Sequence, residues 1–161
     1  MQEELRSWFA SYGIPYPDQA LSIGVIEKTI AIHGKERWTR AVRRDLMDEA
    51  IELFEEARAR LQRQANRMFS NLQEFNKLLR FLGRSPQPST NKACEAMSSI
   101  HVNIYDLIAA YNADNSGTFN GRTFPSVKEL AKYSRAKNLI FPRDKAKSEG
   151  LRHFLRHFFN H

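Results

Sequence analysis

Cysteine is almost absent from this chain of 161 residues, in which Cys94 is the only one. A single cysteine excludes an intramolecular disulfide and a metal site built from several thiolates. An unpaired thiol is most easily kept in a reducing compartment, so we expect an intracellular location, in the cytoplasm or the nucleus. The chain does not need a disulfide for stability, because a sequence of this length can bury roughly 70% of its unfolded surface.

Long apolar runs are also lacking, since no stretch reaches the roughly 18 residues of a transmembrane helix. Gln2, Glu3 and Glu4 follow the first methionine, where a secretory signal would carry basic and then apolar residues. We therefore expect no transmembrane segment and no signal peptide. Hydrophobic residues still make up 42% of the chain, which predicts a single folded domain over residues 1–161.

Proline and glycine are both absent between Lys35 and Leu82. Apolar residues recur there at spacings of three or four, which is the strongest helix signal in the chain. One straight helix would be about 70 Å long, whereas a compact protein of this length is only about 40 Å across. We therefore predict a bend, which the poor helix formers Ser70 and Asn71 favour. The alternative is a projecting coiled-coil arm.

The remaining apolar pattern predicts an all-α fold, a helical bundle of five or six helices around this long central helix. A short helix at the N-terminus is followed by a helix over residues 18–33, for which a β-strand is the alternative. A single helix is predicted over residues 89–111. The leucines of the long segment are expected to pack against it: Leu46, Leu53, Leu61, Leu72 and Leu79.

The C-terminal region is predicted to be helical as well. Ser126 and Glu129 fit a capping box, in which the hydroxyl and the carboxylate each bind a free amide of the first turn. This pattern predicts a short helix over residues 126–137. The last helix is predicted to begin at Arg143, after the apolar connector that ends before Pro142.

Catalytic and metal-binding motifs are lacking. The chain has no glycine-rich phosphate loop and no Glu-x-x-His pair of the kind found in carboxylate-bridged metal sites. His153, His157 and His161 lie one helical turn apart, but no further ligand completes a zinc site. We therefore predict no catalytic residue, no metal and no cofactor, and the sequence does not indicate an enzyme.

Acidic residues are scarce in one part of the chain only, its last third. Residues 1–114 carry 15 basic and 15 acidic side chains, whereas residues 115–161 carry 10 basic and three acidic ones. The whole net charge of +7 therefore arises in the basic C-terminal subregion, residues 115–161. The candidate nucleic-acid-binding residues are its ten cations: Arg122, Lys128, Lys132, Arg135, Lys137, Arg143, Lys145, Lys147, Arg152 and Arg156.

Aromatic residues are interleaved with these cations, so that base stacking could accompany the phosphate contacts. The four rings are Phe119, Phe124, Tyr133 and Phe141. We therefore predict a non-catalytic nucleic-acid-binding protein whose basic C-terminal surface contacts the phosphate backbone of RNA or DNA. An acidic protein surface would be attracted by the same charges.

The alternative function is a protein–protein interaction module or a subunit of a larger complex, docking through the long helix or the phenylalanine-rich C-terminal helix. Leu151, Phe154, Leu155 and Phe158 share one side of that last helix and are the candidate partner-docking residues. We expect this side to pack on the core of the domain rather than on a partner, because large apolar residues usually tie a terminal helix down.

Overall fold

The computed structural model describes the backbone of residues 2–18, 21–113 and 117–159, and the side chains of residues 3–18, 21–113 and 117–155. Eight α-helices and one two-stranded sheet occur in these residues, which confirms the all-α class but exceeds the five or six helices predicted. Residue contacts divide the chain into two compact units, Met1–Arg60 and Leu61–His161. The single domain expected over residues 1–161 stays a prediction.

The N-terminal unit contains α1 (Gln2–Ser11), α2 (Ile23–Gly34) and the first part of α3 (Arg40–Met68). Helix α2 begins after Ser22, whose hydroxyl accepts a hydrogen bond from the amide of Val25. The β-branched residues of the predicted 18–33 segment thus form a helix and not a strand. Its buried residues recur one turn apart, as an amphipathic helix requires.

The core of this unit is an aromatic and aliphatic cluster that joins the three helices. Leu5 and Phe9 of α1 are fully buried in it, as is Ile30 of α2. Leu46 and Leu53 of α3 belong to the same cluster. The prediction that these two leucines pack against residues 89–111 is wrong, because the first half of α3 finds its apolar partners in α1 and α2.

The long apolar segment is interrupted at the predicted place. Helix α3 ends at Met68, and α4 (Leu72–Phe81) begins after Asn71, whose backbone is extended. The side-chain oxygen of Asn71 accepts a hydrogen bond from the amide of Glu74 at 3.0 Å, so it replaces the missing helical partner of that amide. Helix α3 alone is about 44 Å long. The predicted coiled coil is not confirmed.

The single helix predicted over residues 89–111 is in fact two helices, α5 (Thr90–Ser98) and α6 (Ile104–Ala113). Strand β1 (His101–Val102) lies between them and pairs antiparallel with β2 (Thr123–Phe124). The prediction failed because apolar residues continue at helical spacing through the break. The strand pairing that interrupts the helix joins residues more than twenty positions apart, which periodicity does not detect.

The C-terminal unit continues with α7 (Val127–Ala136), a 3₁₀ turn (Arg143–Lys145) and α8 (Glu149–Phe159). The Ser126 hydroxyl accepts a hydrogen bond from the amide of Glu129, as the capping box predicts. Helix α8 begins six residues later than predicted, since the chain first makes the 3₁₀ turn. No described helix is both long enough and apolar enough to cross a lipid bilayer.

The apolar side of α8 faces the core of its own unit. Leu151 is fully buried and Leu155 is 5% exposed, while Phe154 packs against the same cluster and lies 5.4 Å from the ring of Phe69. The Phe158 side chain lies outside the described residues. This packing agrees with the expected intramolecular role of the helix, and partner docking by these four residues stays a prediction.

Two glycines of the helices differ in the space around them, which gives a stability prediction. A Cβ on Gly150 of α8 would lie 3.0 Å from the Phe69 carbonyl oxygen and 3.2 Å from the Phe75 ring, whereas a Cβ on Gly24 of α2 would meet nothing within 4 Å. We expect Gly150→Ala to lower the free energy of unfolding by about 1 to 3 kcal/mol because of overpacking. Gly24→Ala should raise it by about 0.5 to 1 kcal/mol, through helix propensity.

Urea denaturation, monitored by circular dichroism, measures the free energy of unfolding of both variants. The two variants make the same chemical change in a helix, so each is the control for the other. A Gly150→Ala variant as stable as Gly24→Ala would contradict the close packing of α8 on Phe69 and Phe75.

Candidate functional site

The predicted cations lie at the surface of the C-terminal unit. Nine of the ten have described side chains, and all nine are exposed, whereas the Arg156 side chain lies outside the described residues. They form two groups along the chain. The first surrounds α7 and contains Arg122, Lys128, Lys132, Arg135 and Lys137. The second runs from the 3₁₀ turn into α8 and contains Arg143, Lys145, Lys147 and Arg152.

Three cations of the first group share one side of α7. Lys128, Lys132 and Arg135 are spaced i, i+4 and i+7, which places them within about 60° of one another around the helix. We call these three residues the α7 basic stripe. It is about 10 Å long at 1.5 Å per residue. None of the three forms a salt bridge with an acid in the described part of the chain.

The inner side of α7 is fixed by buried contacts. Leu130 and Ala131 are buried, and Ser134 is completely inaccessible. The Ser134 hydroxyl accepts a hydrogen bond of 2.8 Å from the side-chain amide of Asn103, which is itself 3% exposed. A helix held in this way presents its outer side in one orientation, so the backbone positions from which the α7 basic stripe projects are fixed.

Arg122 lies beside two aromatic rings. Its guanidinium carbon is 4.9 Å from the centre of the Phe124 ring and 5.4 Å from that of Tyr133, distances typical of cation–π contacts. The two rings are 4.9 Å apart. Strand β2 thus brings Arg122 and Phe124 to the flank of α7, while its basic stripe lies on a different side of that helix.

Asp106 of α6 adds an acid to this cluster. It accepts a side-chain hydrogen bond from Tyr133, and its Oδ2 is buried without a hydrogen-bond partner among the described residues. Burial raises the pKa of Asp106, although the Tyr133 hydrogen bond and the charges of Arg122 and Lys137 lower it. The carboxylate therefore offsets part of the positive charge of these two cations.

The same surroundings shift the pKa of Tyr133. Burial, followed by the hydrogen bond to Asp106 and the negative charge of that group, raises the pKa of Tyr133 to about 12, against the opposing effect of Arg122. The phenol is consequently protonated at neutral pH. It serves as a hydrogen-bond donor to Asp106.

The second group of cations is partly engaged in structure. The Asn66 side chain ties down its backbone, donating to the Lys145 carbonyl at 2.8 Å and accepting from the Lys147 amide at 2.6 Å. Lys145 forms a salt bridge of 3.5 Å with Asp144, and Arg152 donates from Nε to the carbonyl of Ala146 at 2.8 Å. These contacts leave the α7 basic stripe as the clearer candidate for binding an anion.

The four aromatic residues predicted to stack on bases are buried or half-buried and are not exposed beside the cations. Phe141 and Phe124 are buried, and Phe119 packs against Phe81 with ring centres 5.8 Å apart. Tyr133 is half-buried. The expectation of base stacking by these four rings is wrong for the two buried ones, because the core of the unit requires their apolar surface.

A metal site is not found in the described residues, where no three His, Cys, Asp or Glu side chains come together. His153 is half-buried in α8. The side chain of His157 and the whole of His161 lie outside the described residues, so the histidine stripe predicted from their spacing is not tested.

Asp106 is the residue that the charge pattern missed. It lies 16 positions before Arg122 and 27 before Tyr133 in the sequence. The β1–β2 pairing and the packing of α6 bring the three together, so no local signal predicts their contact.

Comparisons of the chain with protein-family models, with curated proteins and with solved structures give no match.

The Asp106–Tyr133 contact predicts a change in tyrosine titration. We expect Asp106→Asn to lower the pKa of Tyr133 from about 12, because the carboxylate charge is removed, while burial keeps it above the ordinary value of about 10. The raised pKa means that protonated Tyr133 stabilises the fold fully below about pH 10, and that this contribution disappears as the pH approaches 12.

Ultraviolet absorbance after a rapid jump to alkaline pH measures the phenol, and a Tyr133→Phe variant identifies its signal. Asp144→Asn is the matched control, since Asp144 is exposed and does not contribute to the Tyr133 pKa. An unchanged titration in Asp106→Asn would contradict the contact.

Proposed function

We propose that this protein binds nucleic acid without catalysis, contacting the phosphate backbone of RNA or DNA with the α7 basic stripe. The observation that carries the proposal is the presence of three exposed cations on one side of α7, none in a salt bridge with a described acid. Cations in this state attract phosphates and release the counterions that condense on a nucleic acid. The gain in counterion entropy is the main source of binding energy in such contacts.

The other predicted cations add less to this surface. Arg122 and Lys137 act on Asp106, and Lys145 is paired with Asp144. A cation that already has an acidic neighbour attracts a phosphate less strongly, because the acid compensates part of its electric field. Arg143 and Lys147 are exposed and form no salt bridge with a described acid, so they are secondary candidates.

The expected salt dependence of binding follows from the number of contacts between cations and phosphates. Each phosphate contact on duplex DNA contributes about −0.9 to the slope of log affinity against log salt. Three contacts therefore give a slope of about −2.7, which corresponds to a decrease of roughly 40-fold in affinity between about 50 and 200 mM salt. An effect of this size is readily measured.

The stripe is tested by replacing Lys128, Lys132 and Arg135 together with glutamine, which removes the charge but keeps an unbranched polar side chain of similar helix propensity. The fold should persist, because all three side chains are exposed. We expect weaker binding of any oligonucleotide, and a salt slope smaller in magnitude by about 2.7, since each cation removed eliminates one interaction with a phosphate. Fluorescence anisotropy of a labelled oligonucleotide at several salt concentrations measures both quantities.

The matched control replaces Lys35, Arg40 and Arg44 of the N-terminal unit with glutamine. These side chains are also exposed, and both triple variants lower the net charge from +7 to 7 − 3 = +4. We expect the control to keep most of the affinity and the salt slope. An equal weakening of binding in the two variants would show that net charge alone matters and would reject the stripe. A wild-type chain that binds no oligonucleotide at low salt would reject the proposed function.

The protein-interaction alternative has less support from surface apolar residues. The large exposed ones among the described side chains are Ile23, Ile32 and Val42, all in the N-terminal unit. Ile23 and Ile32 are nine residues apart on α2, which places them on opposite sides of the helix. They do not form the contiguous patch that a docking surface requires. Salt-insensitive binding to one protein partner would favour this alternative over the proposed function.

A further inference from the structure

We infer that the preferred ligand of the α7 basic stripe is a nucleic-acid duplex, held through its phosphates without base stacking. This inference rests on the proposed function and specifies its ligand. Proteins that prefer single strands combine a cationic groove with aromatic rings on which successive bases stack. The arrangement of rings in the C-terminal unit therefore distinguishes the two classes of ligand.

The aromatic rings of the C-terminal unit pack against one another. Every described ring of the C-terminal unit is buried or half-buried. Phe124 is 8% exposed and Phe141 is 3% exposed, too little for a base to reach a ring face. The half-buried rings each pack against another ring: Tyr111 and Phe119 against Phe81, Phe154 against Phe69, and Tyr133 against Phe124.

Tyr133 is the half-buried ring that lies on α7 itself. The Phe124 ring and the Arg122 guanidinium lie 4.9 Å and 5.4 Å from its centre, and its hydroxyl is hydrogen-bonded to Asp106. The Phe124 ring and the Arg122 guanidinium lie on the same side of the Tyr133 ring, so a base could stack on that side only by displacing them. Stacking on that side is thus costly, and the rest of the ring is only partly accessible, which favours phosphate contacts as the source of binding energy.

Phosphate contacts alone favour a duplex. A duplex carries one negative charge per roughly 1.7 Å of its axis, twice the density of one strand at about 3.4 Å. Over the length of the stripe, about 10 Å, a duplex carries about six charges and one strand about three, so the three cations experience a higher density of negative charge beside a duplex. Each contact also releases more counterion from a duplex, with a slope of about 0.9 against about 0.7 for a single strand.

The exposed residues of α7 bear on whether binding depends on base sequence. Its exposed positions are Lys128, Glu129, Lys132, Arg135 and Ala136. Asparagine and glutamine, which read adenine edges in the major groove, are missing from these positions. Lysine and arginine can bind guanine edges as well as phosphates, but contacts to phosphates carry no sequence information, so binding through the phosphates alone predicts no preference for a base order.

The experiment compares labelled probes of one length and sequence with the full chain at low salt: a DNA duplex, an RNA duplex, and the corresponding single strands chosen to lack self-complementarity. We expect each duplex that binds to do so several-fold more tightly than its own strand, and a second duplex of different sequence to bind equally. The DNA and RNA arms identify which backbone is preferred. Tighter binding of the strands would overturn the inference.

A variant of one ring provides the second measurement. Phe119→Leu removes the aromatic face but keeps an apolar side chain against Phe81, and thermal melting checks the fold. We expect it to bind duplex and strand as the wild type does, whereas weaker binding of the strand alone would overturn the inference. The failure of this inference can be distinguished from the failure of the proposed function. Tighter binding of single strands that still depends on Lys128, Lys132 and Arg135 would reject the duplex preference but keep the proposed function. Binding of no probe would reject both.

Discussion

The buried side chain of Asn103 organises the C-terminal unit. Its Oδ1 accepts from the amides of Tyr105 and Asp106 and so begins α6, while its Nδ2 donates to Ser134 of α7 and to the carbonyl of Leu139. One amide thus satisfies groups from three separate segments inside the core. Buried polar groups are costly when they lack a partner, so these segments must meet at a fixed distance.

The position of the charges depends on this constraint. Because Ser134 is held by Asn103, α7 turns its apolar residues inward and its basic stripe outward. Asp106, three residues after Asn103, is placed by the same helix start, and it meets Tyr133 on the other flank of α7. The Asn103–Ser134 hydrogen bond therefore also orients α7 so that the basic stripe lies on a different side from Asp106. Asp106 partly compensates the charges of Arg122 and Lys137.

Local features of the fold could be predicted from the sequence, and long-range ones could not. The interruption at Asn71 and the cap at Ser126 depend on one side chain and an amide three residues away, so spacing alone reveals them. The β1–β2 pair and the division of the 89–111 helix depend on residues more than twenty positions apart. The surface position of the cations was predictable from composition, whereas the contact of Asp106 with Tyr133 required the fold.

The first two thirds of the sequence show why net charge is a poor guide to a binding surface. Residues 1–114 are neutral in sum. Their acids are nevertheless concentrated on one side of α3, where six exposed carboxylates recur at helical spacing: Asp45, Asp48, Glu49, Glu52, Glu55 and Glu56. Phosphates are repelled by such a surface. Attraction for a polyanion thus depends on which cations are exposed and free of salt bridges with described acids, and the α7 basic stripe of the C-terminal unit is a group that meets both conditions.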